Sequence, residues 1–221
     1  MTTIAQRLSA IRQTLPPDVT LVAVSKYHPV EQIAEAYAAG CRDFGESRVQ
    51  ELAQKRAVLP DDIRWHFIGH LQTNKVRDLL RVRPYLIQSV DSEHLLRAIN
   101  AEAQKQGFVQ DILLELHVAQ EETKSGLTPE EYHALLTTIR QERINNIRIC
   151  GVMGMATFTD DEQEIRRCFH ELHDQYHWMK CQLSIVNCQL SMGMSDDYRI
   201  AISEGSTMVR IGSNIFGERQ Y

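Results

Sequence analysis

Leu21-Val22-Ala23-Val24-Ser25-Lys26 decides how the rest of the chain is read. A short, valine-rich apolar run reads as a strand buried on both faces. Lys26 then stands at the carboxyl end of that strand, where open α/β sheets and α/β barrels bind their ligands. One reading of Lys26 is a solvated lysine in a βα loop. The other is a lysine that forms a Schiff base, its amine kept neutral by a dry wall that disfavours the charged form.

Outward from this stretch, strands and helices alternate. Ile4, Leu8, Ile11 and Leu15 recur at helical spacing before Pro16-Pro17-Asp18, so the spacing predicts an extra N-terminal helix. After Lys26, Pro29 opens a helix that Gly40 ends. Further strands are predicted at 41–44, 63–68, 85–90, 111–118, 147–153, 186–190 and 207–211, with apolar helical faces between them. The last full helix is predicted to start at Ser195-Asp196-Asp197 and to end at Gly205. Eight βα units argue for a single (β/α)8 TIM barrel spanning 1–221 as one domain; the faint second and seventh strands leave a doubly wound sheet open.

At 221 residues the chain falls within the usual range of roughly 200 to 250 for a one-domain barrel. Its net charge of −5, with both signs interspersed, gives no basic stripe for nucleic acid or anionic lipid. No apolar run approaches the ~18 residues of a membrane span, and the start lacks a signal-peptide core. Cys41, Cys150, Cys168, Cys181 and Cys188 are widely spaced and form no C-x-x-C pair, as expected of reduced thiols in a cytoplasmic protein.

In a barrel, function is read from the residues just after each strand. The final two units carry matching loops: Leu190-Ser191-Met192-Gly193-Met194-Ser195 and Val209-Arg210-Ile211-Gly212-Ser213-Asn214. Small residues ahead of a helix let backbone N–H groups approach an anion, and phosphate-binding barrels use these two units. Either loop alone is equally a tight turn, with Ser195 as a helix cap. Together, and adjacent to strand one on closure, they predict a phosphate cradle beside the Lys26 amine. Pyridoxal 5′-phosphate (PLP) is the common phosphorylated aldehyde that fits such a pair.

These residues carry a resemblance. Val24-Ser25-Lys26, Phe44-Gly45-Glu46, the run from Trp65 through His70 to Lys75, Gly151-Val152-Met153-Gly154-Met155, and the two loops above resemble the YggS-type PLP homeostasis proteins over nearly the whole chain. Members of that family are similar to the N-terminal barrel of alanine racemase. The resemblance implies PLP held by Lys26 as an internal aldimine, Arg210 facing the pyridine nitrogen, and Ser191, Met192, Gly193, Gly212 and Ser213 around the phosphate. His66 and Met153 complete the expected cofactor-binding set. The family commonly has asparagine where this chain has Ser47.

A guanidinium beside the ring nitrogen opposes its protonation and weakens the ring as an electron sink. The chain reaches Tyr221 just past strand eight, so the second domain that helps alanine racemase supply its opposing acid is not expected. The expected function is therefore a cytoplasmic, monomeric PLP carrier in intracellular PLP homeostasis, not an enzyme. Its expected partners are PLP, free amino acids and PLP-accepting apoenzymes, with no nucleic acid or membrane. A PLP-dependent racemase and a cofactor-free phosphosugar isomerase are the alternatives. Lys75 and Lys124 are competing Schiff-base positions, His66 and His117 point either into the barrel or into helix packing, Glu46 equally fits a cap of the next helix, and His170, His173 and His177 have a metal-like spacing without a completing ligand.

Overall fold

β1 (Thr20–Val24) pairs in parallel with both β2 (Asp43–Glu46) and β8 (Met208–Ile211), and the second pairing closes the sheet. The structure is a computed structural model that describes residues 2–217 apart from Glu122 and Arg143. Around the ring the remaining strands follow in chain order: β3 (Arg64–Phe67), β4 (Leu86–Val90), β5 (Gln110–Leu116), β6 (Ile147–Gly154) and β7 (Gln189–Ser191). Every pair is parallel, and closure rules out the doubly wound sheet.

The helices form the outer layer: α1 (Ile4–Thr14), α2 (Val30–Ala38), α3 (Val49–Arg56), α4 (Val76–Arg81), α5 (Glu93–Gln106), α6 (Pro129–Gln141), α7 (Glu162–Leu183), α8 (Tyr198–Ser203) and α9 (Ser213–Phe216). Their ends follow local chemistry. Thr3 with Gln6 and Thr128 with Glu131 form capping boxes for α1 and α6, and Gly107 closes α5 in the left-handed conformation. The extra helix α1 buries Ile4, Leu8 and Ile11, and Arg7 Nε donates to the Ile215 carbonyl on α9, fastening α1 to α9.

Apolar side chains divide by strand alternation into two layers. Ala23, Phe44, Trp65, Ile87, Leu114 and Val209 pack outward against the helices. Val22, Leu86, Leu113, Met153 and Met208 fill the barrel interior. β6 carries a bulge at which Ile112 pairs with Ile149 but Leu113 with Gly151. Gly151 has φ +151°, and a Cβ there would sit 1.9 Å from the Gln189 carbonyl oxygen, so only glycine lets β7 approach.

Most strands lie within one or two residues of expectation. β2 is shifted to Asp43–Glu46 because its ladder begins at Asp43 opposite Arg64, while Cys41 packs in the outer core. β7 begins at Gln189; Val186 is exposed in the connection before it. The helix expected from Ser195 begins at Tyr198, because Asp197 and Tyr198 N–H groups both turn back to the Met194 carbonyl. Among the described residues no helix is long and apolar enough to cross a membrane, and all five cysteines are free thiols.

Candidate functional site

The carboxyl rim is organised around the turn that follows β1. Ser25 is fully buried and its N–H donates to the Gly45 carbonyl of β2; the His28 N–H then returns to the Ser25 carbonyl. Lys26 occupies this turn, half-buried, two residues past the strand. Tyr27 beside it has φ +67°, a left-handed conformation that a bulky side chain adopts only when its surroundings hold it.

The surroundings are specific. Lys55, on α3 and only 5% exposed, donates from Nζ to the Ser25 carbonyl, Glu46 Oε1 and Glu51 Oε1, each at 2.7 Å. Ser25 Oγ donates to the same Glu46 oxygen, and the Tyr27 N–H to Glu51 at 2.7 Å. The turn bearing Lys26 is thus gripped on both sides. Glu46 does not cap α3 as expected; it is wholly buried. Burial pushes its carboxyl up to about 7 against the pull of Lys55. Its Oε2, like Ser47 Oγ, is buried without a hydrogen-bond partner.

The loops after β7 and β8 stand next to this turn. Gly212 lies so close to β1 that a Cβ would be 3.3 Å from the Val24 carbonyl oxygen. Gly193 has φ +92°, and a Cβ there would meet Ala201 Cβ at 2.5 Å and Tyr198 Cα at 2.9 Å. Ser195 links the loops instead of capping a helix: its Oγ accepts from the Gly212 N–H at 3.3 Å, and its carbonyl accepts from Asn214 Nδ2 at 2.8 Å. Asp197 Oδ1 accepts from the Met194 N–H. Ser213 is exposed at the first position of α9, where backbone N–H groups have no partner within the helix.

Arg210 enters the interior beneath these loops and is 4% exposed. Nη1 donates to the Ser191 carbonyl at 2.8 Å and to Ser191 Oγ at 2.7 Å, and Nη2 donates to the Gly154 carbonyl at 3.0 Å. Burial pushes the guanidinium down to about 10, opposed by the charges of Asp197 and Glu115, so it stays a cation at neutral pH. Burial likewise raises the Glu115 carboxyl to about 7, with Asp91 adding to the rise and Arg210 opposing it.

The other expected site residues lie deeper or face elsewhere. Met153 belongs to the inner apolar layer. The Met192 side chain packs in the outer core, its N–H donates to the Met208 carbonyl and its carbonyl accepts from Ser206 Oγ. His66 is fully buried towards the amino-terminal floor, bonded to Asp43 and Gln88. His117 bonds the Lys124 carbonyl, and Lys124 pairs with Glu121 and the Ala156 carbonyl on the rim. His173 and His177 lie on α7 with their Nε2 atoms 3.0 Å apart, and the described residues contain no cluster of three or more His, Cys, Asp or Glu that could hold a metal.

Lys55, Gln88 and Glu115 were not singled out from the sequence. A signal existed for each. Lys55 falls three residues after Leu52 on the buried face of α3, Gln88 follows Leu86-Ile87 in β4, and Glu115 interrupts the apolar run from Ile112 to Leu116 in β5.

A family model described as alanine racemase, N-terminal domain, matches residues 1–220. A pyridoxal phosphate homeostasis protein of Aquifex aeolicus is 40% identical over 202 residues, 91% of this chain and 87% of the relative. This chain belongs to the pyridoxal phosphate homeostasis protein family. The human pyridoxal phosphate homeostasis protein is 38% identical over 212 residues, 91% of this chain and 77% of its own. The structure of PipY from Synechococcus elongatus with PLP bound superposes with a TM-score of 0.89 at 37% identity, covering 97% of this chain and 100% of PipY. Alanine racemase from Corynebacterium glutamicum shares the barrel, with a TM-score of 0.79 at 16% identity over 99% of this chain and 61% of the racemase. The family's curated relatives are named for homeostasis, not for a reaction.

Proposed function

We propose that this member of the pyridoxal phosphate homeostasis family binds PLP at the carboxyl rim and holds it covalently on Lys26. The observation that carries the reading is the contact of Gly212 with the end of β1, which sets the β7 and β8 loops beside the Lys26 turn. The donor set suits the cofactor. Glycines at 193 and 212 keep the loop backbone open where a Cβ would crowd it, the N–H groups opening α9 suit a phosphate, and Arg210 offers a buried cation below. Lys26 would hold the cofactor through a bond from Nζ to its aldehyde carbon, with release of one water. Ser191 and Gly154 orient Arg210, Met192 steadies Gly193, Met153 floors the site, and His66 acts through Gln88.

Bound PLP supplies an aldehyde that amines can capture and a ring that withdraws electrons. Arg210 in place of a carboxylate at the ring nitrogen limits that withdrawal, so the protein serves as a carrier exchanging PLP with amines or apoenzymes, not as a racemase. The test is to incubate the purified chain with PLP, reduce with borohydride and map the adduct. A single adduct on Lys26 is expected. An adduct on Lys75 or Lys124, or none, overturns the assignment, and sustained turnover of an amino acid overturns the carrier role.

A further inference from the structure

A line of hydrogen bonds crosses the barrel from Arg210 to the floor. Arg210 Nη1 donates to Ser191 Oγ, and Ser191 Oγ donates to Gln88 Oε1 at 2.7 Å. The Gln88 amide nitrogen therefore faces His66 Nδ1, at 2.9 Å, and donates to it. That leaves the ring proton on Nε2, which donates to Asp43 Oδ1 at 3.0 Å. Every donor points the same way, from a buried cation to a carboxylate. Burial alone would raise the Asp43 carboxyl, but the bonds from His66 and Arg64 outweigh it and hold it below its ordinary range. Arg64 Nε grips Asp43 from outside at 2.7 Å.

Gln88, His66 and Ser191 are buried among Val22, Leu86, Leu113, Met153 and Met208. Polar groups in such a layer are costly unless each is paired, and here each is paired at both ends. A chain whose bonds all run one way is cooperative, so the state of Asp43 bears on how firmly Ser191 accepts from Arg210. The lower end faces a polar cavity: about 690 Å³ at the amino-terminal mouth, lined by Asp43, Arg64, His66, Tyr85, Asp111 and Arg148.

Resting on the cofactor assignment above, we propose that Gln88 and His66 are positioning residues for Arg210: the relay from Asp43 through His66, Gln88 and Ser191 fixes the guanidinium and couples the floor of the barrel to the cofactor at its rim.

The test combines a cofactor-free and a cofactor-bound readout. In the cofactor-free wild type, nitrogen-15 spectra of labelled histidine should place the His66 ring proton on Nε2; in Gln88→Met the Asp43 carboxylate should keep it there while the Nδ1 resonance shifts as its hydrogen bond is lost; a proton on Nδ1 in the wild type overturns the relay. With PLP added, Gln88→Met should still be trapped on Lys26 by borohydride. Its visible absorption maximum should shift and its affinity should fall about tenfold, the loss of roughly one to two hydrogen bonds of orientation. Asp43→Asn should shift the band in the same direction by less. Leu136→Ala, in the outer core on α6, should lose stability without moving band or affinity. An unchanged band and affinity in Gln88→Met overturns the proposal, and if that variant does not fold, an unchanged band in Asp43→Asn does so. Failure of wild-type trapping at Lys26 would instead strike the cofactor assignment, leaving the histidine spectra to decide the relay.

Discussion

Lys55 Nζ lies 2.7 Å from the backbone carbonyl oxygen of Ser25, the residue immediately before Lys26. A surface helix thus reaches under the strand to hold the turn that presents the amine. Replacing Lys55 by Met removes the cation and leaves Glu46 buried, a loss of about 3 kcal/mol for a broken buried pair. Because burial already raises Glu46 towards neutrality, protonation relieves part of that loss in acid. Urea denaturation of Lys55→Met should therefore show a larger deficit at pH 8 than at pH 5, and PLP should react more slowly with Lys26. An equal deficit at both pH values would refute the role given to Glu46.

Gly193→Ala tests the loop after β7. The substitution forces a methyl group into Ala201 and Tyr198 at a φ that L-residues rarely adopt. A loss on the order of 3 kcal/mol is expected, measured by thermal unfolding. PLP affinity should fall together with stability, since α8 and the Gly193 loop cannot both keep their places. A variant as stable as the wild type would show that the loop has room the packing denies it.

Lys26→Ala should abolish borohydride trapping yet keep the far-ultraviolet dichroism of the barrel, because the half-buried turn is held by Ser25, Lys55 and Glu51 and not only by Lys26. Residual, weaker PLP binding is expected through the two loops. If the variant unfolds, Lys26 is part of the structural frame.

Glu115 makes stability depend on pH. Its carboxyl titrates near 7 in the folded chain against an ordinary 4.5. Between those values the folded state holds a proton that the unfolded state has released, so stability falls as pH rises from about 4.5 to about 7 and is level beyond. The fall attributable to this group is at most about 3 kcal/mol. Glu115→Gln should flatten the curve over that window, with the Glu46 contribution remaining. Denaturant midpoints across pH 4 to 8 measure it, and a slope unchanged by the substitution would rule Glu115 out as its source.

Much of the rim is legible in the sequence alone. Strand-end position follows from where an apolar run meets a polar residue, which is why Lys26, Arg210, Gly193 and Gly212 could be named at their places. The start of α8 could not: Ser195-Asp196-Asp197 has the composition of a helix cap, but the Met194 carbonyl turns the chain first, and Ser195 is drawn to Gly212 across the gap between β7 and β8.

By itself, the order of apolar runs and helix-breaking residues determined the alternation of strands and helices and the identity of the residues at the strand ends, because both depend on spacing along the chain. Only the tertiary structure decided what stands behind them. Lys55 meets Ser25 across 30 positions and Gln88 meets Ser191 across 103. Which polar side chains turn inward at one level of the barrel depends on strand register and closure. Those are settled by the packing of all eight strands at once, not by any stretch of sequence alone.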